Sequence, residues 1–82
     1  MKKIPRDISG NDLIKLLRKK FGYETSRQSG RHLRCTTESE GIHHVTIPAH
    51  NPLKLGTLSS ILIEVASHFK LSKEEIIDLL FS

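Results

Sequence analysis

Two stretches of helical periodicity bracket three short runs of strand character, and that order leaves few folds open to the chain. From Asn11 to Phe21, the residues Leu13, Ile14, Leu16, Leu17 and Phe21 recur on one helical face, with Lys15, Arg18 and Lys19 on the other. Ser9 stands as N-cap, Asp12 completes a weaker form of the capping box, and Gly22 is a natural stop. Tyr23–Gln28 is polar and reads as an edge strand. Ser29-Gly30 is a turn, Arg31–Thr37 resumes extended structure, and Glu38–Gly41 is a second turn before Ile42–Ile47, with a break at Pro48. Short glycine-bearing loops between such runs predict an antiparallel meander of two hairpins. Beyond the loop Pro48–Gly56, the spacing of Leu58, Ile61, Leu62, Val65 and Phe69 predicts a second amphipathic helix with Thr57 at its N-cap. Ser72 and Glu75 form an S-x-x-E capping box opening a short last helix through Ile76, Ile77 and Leu80. The expected fold class is α+β: a helix, a three-stranded antiparallel sheet, a helix and a short C-terminal helix, in a single domain spanning residues 1–82.

Alternation sorts the faces of the sheet. Leu33, Cys35, Val45 and Ile47 point inward, leaving His32, Arg34, Thr36, His44 and Thr46 outward, so that His32, Arg34 and His44 share an open face. At 82 residues there is room for one core, and 20 of the apolar residues are Ile or Leu. No apolar run approaches the ~20 residues that span a bilayer. The basic N-terminus has no apolar stretch behind it, and the expected location is the cytoplasm. A single Cys35 excludes an internal disulfide framework and reads as a small core residue. The absence of Trp argues against a platform for stacking single-stranded bases.

Charge divides the chain. Residues 1–37 carry ten Lys and Arg against three acids, a net of +7, whereas residues 38–82 carry three Lys against six acids, a net of −3. A half this basic suggests a polyanion, most commonly nucleic acid, although a solubilising surface is the plainer alternative. The +7 half contains both the first helix and the strand with His32, so the charge is expected to surround that residue. A helix-turn-helix reader of DNA fits poorly, because strands separate the basic helix from the next one.

Five His occur, four of them between residues 32 and 50. Adjacent His43 and His44 on a strand face opposite ways and cannot easily share an ion, and a second Cys is lacking, so no metal site is expected. His32 differs because Arg27, Arg31 and Arg34 flank it. Fixed positive charge favours a neutral, proton-accepting imidazole. The arginines can hold a phosphate and stabilise charge building in a transition state. Together they suffice for RNA cleavage without a cofactor, in which a ribose 2′-OH gives its proton to the His and attacks the adjacent phosphorus. The plainer reading is a surface His beside arginines that only bind phosphate. Lys54, in Lys54-Leu55-Gly56-Thr57, stands beside the free N–H groups of a helix start, a second candidate for phosphate contact.

The residues Ser9-Gly10 with Leu13–Leu17, Arg27-Gln28-Ser29-Gly30-Arg31-His32, His44-Val45-Thr46-Ile47-Pro48-Ala49-His50 and Gly56–Leu62 together resemble the HicA family of toxins, small mRNA interferases related to the YcfA-like proteins. The similarity runs from about Ile4 to Leu80. It implies a double-stranded-RNA-binding-domain-like fold, metal-independent mRNA cleavage, and inhibition by a HicB-type antitoxin that covers the active site. The family's catalytic His lies in a Gly-Ser-His element, which matches His32 here, with Arg31 in place of the usual Ser. On this reading Arg27, Arg31, Arg34 and Lys54 contact RNA phosphates, and His44 is an accessory candidate for protonating the leaving oxygen. The alternative is a non-catalytic RNA-binding module of the same fold. A longer stretch at Glu64–Lys70 bears on antitoxin docking or on assembly into a homo-oligomer, which the sequence leaves open.

Overall fold

Ser9 opens the first helix through a reciprocal cap. The Asp12 N–H donates to Ser9 Oγ at 3.0 Å, and the Ser9 N–H donates to Asp12 Oδ2 at 3.5 Å. The helix, α1, runs Gly10–Phe21 and stops at Gly22, which adopts the left-handed conformation expected of it. There follow β1 (Glu24–Ser29), β2 (His32–Thr37), β3 (His43–Pro48), α2 (Leu55–His68) and α3 (Lys73–Phe81). This computed structural model describes residues 4–5 and 7–81; Lys2, Lys3 and Arg6, three of the basic residues counted above, lie outside the described residues. The strands form one antiparallel sheet in the order β1-β2-β3, and the helices cover one of its faces. This is the α+β layout expected, consistent with a double-stranded-RNA-binding-domain-like fold.

The inward residues are those the alternation assigns. Cys35, Val45 and Ile47 are buried against Leu13 and Leu17 of α1 and Leu58, Leu62 and Val65 of α2. β1 ends, and β2 and β3 begin, one residue later than the sequence pattern has them, and three further differences have a tertiary reason. Tyr23 is not the first residue of an edge strand but a fully buried core residue preceding it, with its ring edge against Phe69. The second helix starts before Thr57. Leu53 is buried and tethered by its N–H to the Ile8 carbonyl at 2.8 Å, so the chain enters the helix directly behind it. Lys54 is therefore the N-cap and makes no side-chain cap bond. Pro48, expected to break the third strand, is its last residue. It can be so because β3 is an edge strand and the missing N–H lies on the side away from β2.

The last helix belongs to the core. Its capping box forms as predicted, with the Glu75 N–H to Ser72 Oγ at 3.1 Å and the Ser72 N–H to Glu75 Oε1 at 2.9 Å. Ile76, Ile77 and Leu80 are buried, and α3 packs on both α1 and α2. Truncating Ile76, fully buried, to Ala is expected to lower unfolding free energy by about 2–5 kcal/mol. Leu79→Ala, at a residue 46% exposed, is expected to lower it by less than about 1 kcal/mol. Denaturant titration of the two variants checks the contrast.

A polar seam joins the start of β3 to α2. His43 Nδ1 lies 2.7 Å from the Tyr23 hydroxyl, its ring stacks on His68 at 4.5 Å between centroids, and His68 Nε2 donates to the Ser39 carbonyl at 2.9 Å. Burial raises the Tyr23 hydroxyl well above its ordinary range, with Glu64 adding to it, so it remains a protonated donor to His43. Burial first, and then His68 and His44, lower the His43 imidazole below its ordinary value of 6.5, against an opposing pull from Glu64. A lowered value means the folded state binds fewer protons than the unfolded chain. The stabilisation from a neutral His43 is thus complete above 6.5 and lost as pH falls below it. The thermal midpoint is expected to decline as pH falls below 6.5, and His43→Gln is expected to flatten that decline. Equal slopes in the two proteins would contradict the assignment to His43.

Candidate active site

Two hairpins bring the proposed site residues to one end of the uncovered face. Ser29 pairs with His32 across a two-residue turn, Gly30-Arg31. Gly30 has φ 58°, and Arg31 is not among the residues with positive φ. Positive φ confined to the first central position is the pattern of a type II′ hairpin turn, which Gly permits without strain. Gln28 steadies the turn by donating from Nε2 to the Gly30 carbonyl at 3.3 Å. The turn fixes His32 as the first residue of β2, exposed, with Arg31 exposed beside it.

A feature invisible in the residue pattern places Arg27. Thr25 pairs with Cys35, but Arg27 pairs with Arg34, so one extra residue, Ser26, is inserted into β1. In an unbroken ladder Arg27 would have faced Leu33 and pointed to the covered side. The bulge turns it outward, directly across from Arg34. Ser26 anchors the irregularity: its hydroxyl donates to the Arg34 carbonyl at 3.2 Å and lies 2.9 Å from Thr36 Oγ1. The outer face near the turn thus carries Arg27, Ser29, His32 and Arg34, with Thr46 and Pro48 alongside on β3. Like charges directly opposite each other are unfavourable in a sheet. Among the described residues the ion pair formed is Arg18 with Glu24 at 4.0 Å, and no carboxylate pairs with Arg27, Arg31 or Arg34. An uncompensated arginine pair beside an exposed imidazole is an anion-binding arrangement.

Other sequence candidates fall elsewhere. His44 does share the outer face, but it pairs with Thr36, four positions along β2 from His32, about 13 Å at the rise of a strand. Its Nδ1 is engaged with Thr36 Oγ1 at 2.8 Å, ending a ladder that runs from Ser26 through Thr36. It is not brought together with His32. Lys54 is exposed at the α2 N-cap, off the sheet. The basic residues of α1 do not surround His32 either. Leu13 and Leu17 face the core, so Lys15 and Lys19 stand on the far side of the helix layer. The charge of the first half is divided between two surfaces.

The remaining reactive groups are occupied in the fold. Cys35 is fully buried beneath the same strand, and burial pushes its thiol up, against a weak contact with Thr25 Oγ1 at 3.9 Å. His43 and His44 point to opposite sides of β3, one to Tyr23 and the other to Thr36, as alternation requires. A concavity of ≈ 510 Å³ lined by Gly22, Thr25, Thr36 and Thr37 lies at the other end of the sheet. His32 and its arginines occupy an open face instead, a shape suited to a polymer lying across it. Ser26 is the member of this arrangement that residue types alone do not reveal, because a bulge depends on pairing between strands.

A family model described as the HicA toxin of bacterial toxin–antitoxin systems matches residues 10–66, more than half of the chain, from the start of α1 into α2. Searches of curated proteins and of solved structures found no match. The matched segment contains β1, β2 and β3 with the Gly30-Arg31-His32 turn, and the chain belongs to the HicA toxin family.

Proposed function

We propose that this toxin is an endoribonuclease that cleaves mRNA, with His32 taking the proton of a ribose 2′-OH. The observation that supports it best is the bulge-directed pair Arg27 and Arg34, opposed without a carboxylate beside the exposed His32. A phosphodiester placed against that pair relieves their mutual repulsion and lies within reach of the imidazole on the adjacent position. Removal of the 2′-OH proton forms a bond from that oxygen to phosphorus, and the bond to the 5′-oxygen breaks. The guanidinium groups stabilise the charge that gathers on the non-bridging oxygens. The nucleophile is supplied by the substrate, so the reaction needs no cofactor. Arg31, on the turn, extends the cationic edge where the family usually has Ser. Lys54 at the start of α2 is the outlying contact, suited to a more distant phosphate.

Family membership also implies a HicB-type antitoxin as partner. We take its inhibitory segment to cover His32 and to set acidic groups against Arg27, Arg31 and Arg34, which accounts for an exposed, uncompensated cationic face on a protein held in complex. Native co-purification with the product of the neighbouring gene checks this, and the absence of a stable complex would count against it.

His32→Ala is expected to lower RNA cleavage by at least about 10²–10⁴-fold, the range for loss of a general base. The thermal midpoint should remain unchanged, because the side chain is exposed. RNA affinity of the variant should stay close to that of the wild type. Cleavage at the wild-type rate by this variant would remove His32 from the mechanism, and a wild type that binds RNA without cutting it would favour the non-catalytic module. Binding should weaken with added salt, and Arg34→Gln is expected to reduce the slope of log K against log salt by about 0.7–0.9, one phosphate contact. An unchanged slope would place the RNA elsewhere.

A further inference from the structure

Cleavage by an internal 2′-OH moves two protons. One leaves the nucleophile, and another must reach the 5′-oxygen as it departs. His32 accounts for a single transfer, and His44 stands too far along the sheet to supply the other. A different imidazole lies at the near end.

Pro48 is the residue directly opposite His32. The pairing continues past it, since the Ala49 N–H donates to the Arg31 carbonyl at 2.6 Å. The next carbonyl, that of His50, turns the other way and accepts from the Gly10 N–H at 2.9 Å. Backbone groups that alternate in this manner are those of an extended chain. They put residue 50 on the same side as Pro48 and make it a diagonal neighbour of His32, about 7–8 Å away between backbones and within reach of long side chains. The His50 side chain is exposed.

Although outside the regular strand, this segment is held at both ends. Gly10 packs so closely that a Cβ there would overlap the Pro48 carbonyl oxygen, and the Leu53 N–H is bonded to the Ile8 carbonyl at 2.8 Å. The start of α1 thus clamps the chain from Pro48 to Leu53 along the outer edge of β3. Such anchoring presents an exposed imidazole on a fixed backbone, as a catalytic group requires.

We propose that His50 is the second catalytic residue, the acid that protonates the departing 5′-oxygen. The inference rests on the ribonuclease reading above. As the 2′-oxygen bonds to phosphorus, its proton passes to His32. The bond from phosphorus to the 5′-oxygen breaks with its electron pair on oxygen, which takes a proton from the His50 imidazolium. The products are a 2′,3′-cyclic phosphate and a 5′-hydroxyl. Exchange with water returns the proton to His50 and removes it from His32.

The test uses one RNA site in two forms, with the natural 5′-oxygen and with sulfur in its place, because a thiolate departs without protonation. His50→Ala is expected to slow cleavage of the oxygen substrate by about 10²–10⁴-fold while leaving the sulfur substrate within about threefold of wild type. His32→Ala is expected to fail on both. The thermal midpoint of His50→Ala should match wild type, since the fold uses the backbone carbonyl of His50. Equal losses on the two substrates, or no loss on the oxygen form, would overturn the role of His50 while leaving the ribonuclease reading intact. A wild-type protein that cleaves neither substrate would overturn that reading and this assignment with it.

Discussion

The register of β2 against its two neighbours is the constraint from which the site follows. On one side the Gly30-Arg31 turn pins Ser29 to His32, and the Ser26 bulge then carries Arg27 outward to meet Arg34. On the other, Pro48 faces His32 and the pairing extends through Ala49. A one-residue shift of β3 against β2 would turn Val45 and Ile47 outward, since side chains alternate with a period of two, whereas β1, exposed along its length, is held by the turn and by the Ser26 hydrogen bonds. The cost of getting the register wrong is therefore paid by the apolar residues. Val45 and Ile47 would leave the core that α1 and α2 cover. Burial on one face of β3 thus fixes which of its residues stand beside His32 on the other.

This coupling explains the use of an open sheet for charged chemistry in so small a chain. With one core there is little interior in which to enclose a substrate. The helices occupy the covered face, and α3, beyond the segment matched by the family model, closes the core with Ile76, Ile77 and Leu80. The uncovered face is left free, and on the proposed function it takes a polymer whose own hydroxyl acts as nucleophile. The positive charge of the first half also separates by layer, with Lys15 and Lys19 behind the helices and Arg27 and Arg34 on the sheet. The two groups cannot contact the same phosphates.

The parts of the fold legible in the sequence are those set locally. The capping residues Ser9 with Asp12 and Ser72 with Glu75 form their bonds within three positions. Alternation in Leu33-Arg34-Cys35 and Val45-Thr46-Ile47 reports the faces of β2 and β3 because just one face is covered. The parts that were not legible depend on residues distant in sequence. Nothing in Thr25-Ser26-Arg27 announces a bulge, and whether His44 or Pro48 lies beside His32 is decided by a pairing register. Tyr23 stands in a polar run yet is buried, because α2 ends with Phe69 against it and His43 accepts its hydroxyl. Lys54 replaces Thr57 as N-cap owing to the tether between Leu53 and Ile8. His32 was legible from its arginine neighbours and the turn before it, which are local, whereas its full setting was not.

On the proposed function the nucleophile is the RNA's own 2′-OH, activated at His32 on a cationic sheet face. The most direct measurement is end-group analysis of an oligoribonucleotide cut in the presence of EDTA, beside the same oligomer with one 2′-deoxy residue at the cleaved position. Fragments ending in 2′,3′-cyclic phosphate and 5′-hydroxyl are expected from the first, and no cleavage at the deoxy position in the second. Fragments with 5′-phosphate ends, or undiminished cleavage at the deoxy position, would contradict it.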